Sequence, residues 1–166
     1  MKQVEVNTKM LSKKRLWFNI SMVTISWLSL LFIGKTSLKR YSFAGLFIIG
    51  FEILNYLYAY KKKWWTFYEK PRDFLRNELP FSLGPYMPLS LWLLKLSKGN
   101  FIKFISLNAI GDGFFAFIFM AFLKKMKIVR LNRINPLQFF IYLHYKAYLL
   151  YGVQHLVDKR KGNKGL

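Results

Sequence analysis

Residues Leu16 to Ile33 run without a single charged side chain. Four further apolar stretches follow. Tyr41 to Tyr60 holds one charge, Glu52, and Phe81 to Leu94 holds none. Phe101 to Leu123 holds Lys103 near its start and Asp112 at its midpoint, and Leu137 to Val157 holds Lys146. A helix of about 20 apolar residues, rising about 1.5 Å per residue, matches a hydrocarbon core about 30 Å thick. A soluble core helix of that length shows a polar face, which the first, second and fourth stretches lack. The pattern excludes an ordinary soluble fold. It predicts an all-α, polytopic integral membrane helix bundle with five membrane helices, four or five of them spanning. Their expected bounds are 16–33, 41–60, 81–97, 101–123 and 137–157, within one membrane domain, 16–157. Residues 1–15 form a basic cytoplasmic tail and 158–166 a basic disordered tail in this reading.

Charge is the second constraint. The chain has 27 Lys and Arg against 7 Asp and Glu, a net charge of +20. Such an excess ordinarily points to nucleic acid or to an anionic surface. Here the basic residues sit in tails, turns and connectors that flank apolar runs, which is where membrane topology alone puts them. The expected partners are therefore the lipid bilayer and its anionic headgroups, with no nucleic acid. Attraction to such headgroups is worth about 1 kcal/mol per nearby Lys or Arg. The distribution predicts a cytoplasmic N-terminus. It weighs four spans, with the fifth segment flat on the cytoplasmic face, against five. The sequence after the first run, Gly34-Lys35-Thr36, carries no small-residue cleavage site, so that run is expected to be an uncleaved anchor.

Helix punctuation supports the segmentation. Gly34 suits a left-handed helix end, Lys98-Gly99-Asn100 a tight turn, and Asn135-Pro136 a cap followed by an N1 proline. The third segment carries Gly84, Pro85 and Pro88 in its first half. It is expected to be kinked or short, with a coiled lead-in, or else re-entrant. Lys61, Lys62, Lys63, Trp64 and Trp65 read as interfacial anchors, the tryptophans at headgroup level and the lysines reaching the phosphates. Residues 71–79 are expected to form a short interfacial helix dipping Phe74, Leu75 and Leu79.

The polar residues at depth are the candidates for function: Glu52, Asn55, Asn108, Asp112, His144 and Lys146. An isolated charge near the bilayer centre costs about 2.5–3.5 kcal/mol, so such groups face the bundle interior and find partners. Helical spacing puts Tyr41, Gly45, Glu52, Tyr56 and Ala59 on one side of the second segment, with Asn55 at its edge. In the fourth it collects Asn108, Ala109, Asp112, Gly113 and Ala116 into a small, polar arc. In the fifth, His144 and Lys146 point to nearly opposite sides, so at most one of them can face a given carboxylate. A central lysine cannot reach the interface, about 15 Å away. If the fifth helix spans, Lys146 needs Glu52 or Asp112; if it lies flat, Lys146 is solvated.

Familiar chemistry is absent from the sequence. It has no H-E-x-x-H, G-x-S-x-G or phosphate-loop pattern. The lack of cysteine excludes disulfides, thiolate metal sites and cysteine nucleophiles. His144 and His155 lie about 16 Å apart along a helix, too far to share a metal. No cofactor is expected. Ile110-Gly111-Asp112-Gly113 resembles the G-x-G-D motif of intramembrane aspartyl proteases, but Ala109 holds the first glycine position and Glu52 is the other deep carboxylate. A carboxylate beside small, closely packing neighbours is the expected role. In size, lysine-rich usage and basic connectors the chain resembles multi-pass proteins of AT-rich Gram-positive bacteria. The functional expectation is a membrane component without catalysis, structural, assembling or accessory, in a bacterial cytoplasmic membrane. A homo-oligomer or a membrane protein partner is compatible with it. The alternative is a small proton- or ion-coupled transporter or channel subunit using the deep carboxylates. A third possibility, an enzyme on lipid-linked substrates, would draw on Glu69, Asp73 and Glu78.

Overall fold

Helices account for most of this chain, and tight turns at Gly34 and at Lys98-Gly99-Asn100 reverse its direction. The computed structural model describes residues 2–68, 77 and 79–162. Helix α1 covers Lys2–Ser29 and ends in a 3-10 turn, Leu30–Phe32. Gly34, at φ 82°, reverses the chain into α2, Lys35–Lys62. A positive φ there suits glycine, which has no Cβ to clash. Strand β1, Trp65–Phe67, follows. The chain re-enters the bundle through a helical turn, Leu79–Phe81, and a π turn, Ser82–Tyr86, before helix α3, Met87–Ser97. Helix α4, Phe101–Gly113, passes through a second π turn, Phe114–Phe119, into α5, Met120–Lys125. Strand β2, Val129–Leu131, precedes the last helix, α6, Pro136–Gly162.

Two helix starts, those of α4 and α6, carry side-chain caps. The Asn100 side chain accepts a hydrogen bond from the Lys103 amide at 2.9 Å. Asn135 and Gln138 cap α6 reciprocally. The Gln138 amide donates to Asn135 Oδ1 at 2.8 Å, and the Asn135 amide to Gln138 Oε1 at 2.9 Å. That capping box satisfies two donors a helix start would otherwise leave bare.

The structure corrects the expected number of spans. Among the described residues three helices are long and apolar enough to cross a membrane: Arg15–Phe32, Lys35–Lys62 and Phe101–Lys125. The expectation of four or five is overturned. The third segment falls short because its regular helix has only 11 residues. Pro85 lies inside the π turn before it, where the wider turn accommodates a residue that cannot donate. The last helix is long enough, at 27 residues, but its tyrosines, histidines, glutamines and Lys146 make it too polar. It nevertheless packs inside the bundle, along α2 and α4.

Two boundaries also differ from the sequence reading. Helix α1 already begins at Lys2, inside the segment read as a tail. Helix α6 continues past 157 to Gly162, because Asp158 is held by Gln154 and Arg40. Residues 163–166 lie outside the described residues, as do Glu69, Asp73, Glu78 and all of the expected 71–79 helix except Asn77 and Leu79.

Polarity is arranged inside out. Glu52, Asn108, Lys146 and Gln154 are buried, while Ile25, Leu31, Phe32, Leu54, Ile102 and Ile110 stand exposed. Extended apolar surface of this kind marks contact with lipid or protein. With the long apolar helices, it gives the chain membrane-associated character.

One element has no counterpart in the sequence reading. The connectors after α2 and α5 pair as an antiparallel two-stranded sheet, with Thr66 opposite Arg130. Phe67 and Val129 point into a core cluster with Leu123, Phe139 and Leu143. Directly opposed residues have Cα atoms about 4.5–5.5 Å apart, within the range a disulfide bridges. The double variant Thr66→Cys/Arg130→Cys is expected to crosslink under mild oxidation, read as a mobility shift on non-reducing gels. The chain has no other cysteine to compete.

Candidate functional site

Three helices bring the deep polar residues together. The buried face of α2 carries Tyr41, Ala44, Gly45, Ile48, Ile49, Glu52, Tyr56 and Ala59. Its opposite side, with Phe43, Phe47, Leu54, Leu57 and Tyr58, is exposed. This is the division that helical spacing predicts. On α4, Asn108 is buried and Asp112 partly so, while Ile110, and Phe114 just beyond the helix, face outward. Helix α6 presents Lys146 to α2 and His144 to α4.

Lys146 is 0 % exposed. Its Nζ donates to both oxygens of Glu52, at 2.8 and 2.7 Å. The ammonium also lies 4.3 Å from the centre of the Tyr142 ring and 5.0 Å from that of Tyr86. Aromatic faces attract a desolvated cation, so two rings and a carboxylate replace the water that Lys146 has lost. On the other side of α6, His144 Nδ1 sits 3.1 Å from Asp112 Oδ2. The His144 ring is fixed by stacking on Phe140 at 5.4 Å and by an edge contact with Tyr148 at 5.5 Å. Each deep carboxylate thus has its own partner.

The two amides take different places. Asn55 Oδ1 accepts a hydrogen bond from the Tyr145 hydroxyl at 2.6 Å. Asn108 Nδ2 donates to the Phe104 carbonyl of its own helix at 2.8 Å, and joins neither ion pair. Lys61, Lys62 and Lys63 are exposed at the end of α2. Trp64 and Trp65 are half-buried and pack on Tyr142 with ring centres 5.4 and 5.6 Å apart. They join the connector to α6 as well as marking the end of the bundle.

A second ion pair, not singled out from the sequence, lies at the other end of α2. Arg40 donates to Asp158 from Nη2 at 2.9 Å and from Nε at 3.2 Å. Arg40 and Glu52 are twelve residues apart on α2, as are Lys146 and Asp158 on α6, with the signs reversed. In an antiparallel pair this pattern matches in one register and mismatches one turn away. The matched spacing was the available signal. The outer pair is half exposed, so its own contribution is about 0–1 kcal/mol.

A cavity of about 570 Å³ opens beside these pairs. It lies between the lead-in to α3, the α4–α5 rod, the first turns of α6 and the strand pair. Glu52 and Asp112 form part of its wall. The π turn after Asp112 supplies Phe114, Phe115 and Phe119 to the same wall. Among the described residues no group of three or more His, Asp or Glu stands close enough to hold a metal ion.

The chain matches no protein-family model, no curated protein and no solved structure.

Proposed function

We propose that this chain is a non-catalytic component of a bacterial cytoplasmic membrane, structural or accessory, whose helices are set in register by buried charge pairs. The observation that carries this reading is that α6 answers each deep carboxylate: Lys146 donates to both oxygens of Glu52, and His144 Nδ1 meets Asp112. Buried polar groups that bond across helices hold those helices together. Buried polar groups are best attested in this registry role. Exposed lysines at the helix ends, including Lys61, Lys62, Lys124 and Lys125, support contact with anionic headgroups.

A second reading, an ion- or proton-coupled transporter or channel subunit, is favoured by the cavity that reaches both carboxylates. Reconstitution separates the two. In liposomes with an internal pH dye, the structural reading expects wild-type flux equal to that of empty vesicles. It also expects Glu52→Gln and Asp112→Asn to act on abundance. Wild-type proton or cation flux that Asp112→Asn abolishes at unchanged abundance would sink it.

A further inference from the structure

The wall of the cavity runs against the composition of the chain. In a protein with 27 basic and 7 acidic residues, the described residues of this wall include two acids, Glu52 and Asp112, and among them no lysine, arginine or histidine. The two acids differ in what they have left to offer. Both Glu52 oxygens are taken by Lys146. Asp112 gives Oδ2 to His144, and among the described residues its Oδ1 makes no hydrogen bond. The rest of the wall is largely aromatic and aliphatic, with Phe81, Phe114, Phe115 and Phe119 presenting rings. Leu89, Ile110 and Phe114 belong both to the wall and to the exposed apolar surface, so the cavity is bordered on its outer side by residues that face the surroundings.

We propose that this cavity is a binding site for an amphipathic monocation, a lipophilic ammonium or phosphonium, with its charge beside Asp112 and its apolar groups among the phenylalanines. The volume falls in the range of small-molecule sites, about 300–1,000 Å³. A carboxylate with a spare oxygen in an aromatic enclosure favours a cation, through charge and through the ring faces. An anionic lipid would meet the Asp112 carboxylate. A neutral alkyl chain would gain nothing from Asp112. The exposed apolar border lets such a ligand reach the site from within the bilayer. The proposal concerns binding alone and holds whether or not the chain conducts ions.

The test uses the full chain in zwitterionic lipid nanodiscs, with radiolabelled tetraphenylphosphonium as probe and empty nanodiscs as blank. Saturable one-site binding is expected, and an excess of the neutral, similarly shaped tetraphenylsilane leaves it unchanged. Asp112→Asn is expected to weaken binding roughly tenfold or more, or about 1.4 kcal/mol. Absence of saturable binding overturns the proposal. So does equal competition by the neutral analogue, a comparison that needs only the wild-type protein and stands even if the variant fails to fold. Unchanged affinity in a folded Asp112→Asn protein overturns it as well.

Discussion

Lys146→Met is expected to remove most of the folded protein. The substitution keeps the volume and apolar stem of the lysine but strands the Glu52 carboxylate, itself only 8 % exposed. Breaking a buried pair by deleting one partner costs about 3–5 kcal/mol. A domain holds only about 5–15 kcal/mol in total, so the loss is a large share. The complementary change, Glu52→Gln, is expected to be milder. The stranded ammonium keeps Tyr142 at 4.3 Å and Tyr86 at 5.0 Å, and a desolvated cation over such rings recovers about 2 kcal/mol. The double variant Glu52→Gln/Lys146→Met leaves neither partner of this pair stranded, and its stability is expected to recover most of the single-variant loss. Thermal unfolding of detergent-purified protein, followed by size-exclusion profile, gives the ranking. A Lys146→Met protein as stable as wild type would remove the pair from any role in the fold. So would a double variant that merely adds the two single losses.

How much of this pair was readable beforehand depends on geometry. The buried face of α2 followed from helical spacing, because one face of a straight α-helix is fixed by 3.6 residues per turn. The opposite directions of His144 and Lys146 followed from the same rule, and they meet different carboxylates. Which carboxylate each would meet depends on the order of helices around the bundle, and periodicity holds no information on neighbours. The expected number of spans failed for a related reason. Run length alone cannot separate a lipid-facing helix from one whose polar residues are answered by its neighbours. Helix α6 is of the second kind, with Lys146 against Glu52 and Asp158 against Arg40. The strand pair escaped notice because three-residue strands carry too few positions to show alternation. The cavity is an emergent property of packing between segments far apart in sequence.

The lead-in to α3 yields the second large effect. Gly84 and Pro85 read as a break in a helix, but Gly84 has a further role in packing. A Cβ built there would lie 3.1 Å from Val23 Cγ2 and 3.3 Å from Val23 Cα. Helix α1 therefore rests almost on the backbone of the π turn, and two tryptophans bond across nearby. Trp27 Nε1 donates to the Leu83 carbonyl at 3.0 Å, and Trp92 Nε1 to Ser29 Oγ at 3.2 Å. A side chain at 84 cannot be accommodated by a rotamer change, since the closest backbone atom belongs to a helix that would have to move as a rod. Gly84→Ala is expected to cost about 1–3 kcal/mol, the usual range for overpacking. Gly84→Leu is expected to separate α1 from the turn, breaking the Trp27 and Trp92 hydrogen bonds together. Gly50, also in a helix, has nothing within 4 Å of its built Cβ. There alanine removes the helix cost of glycine, so Gly50→Ala is expected to stabilise by about 0.5–1 kcal/mol. Hydrogen exchange along α1 discriminates between local and global effects. Faster exchange confined to α1 and the π turn is the expected result for Gly84→Leu. Protection there equal to wild type would mean that the close approach at Val23 does not hold α1 in place.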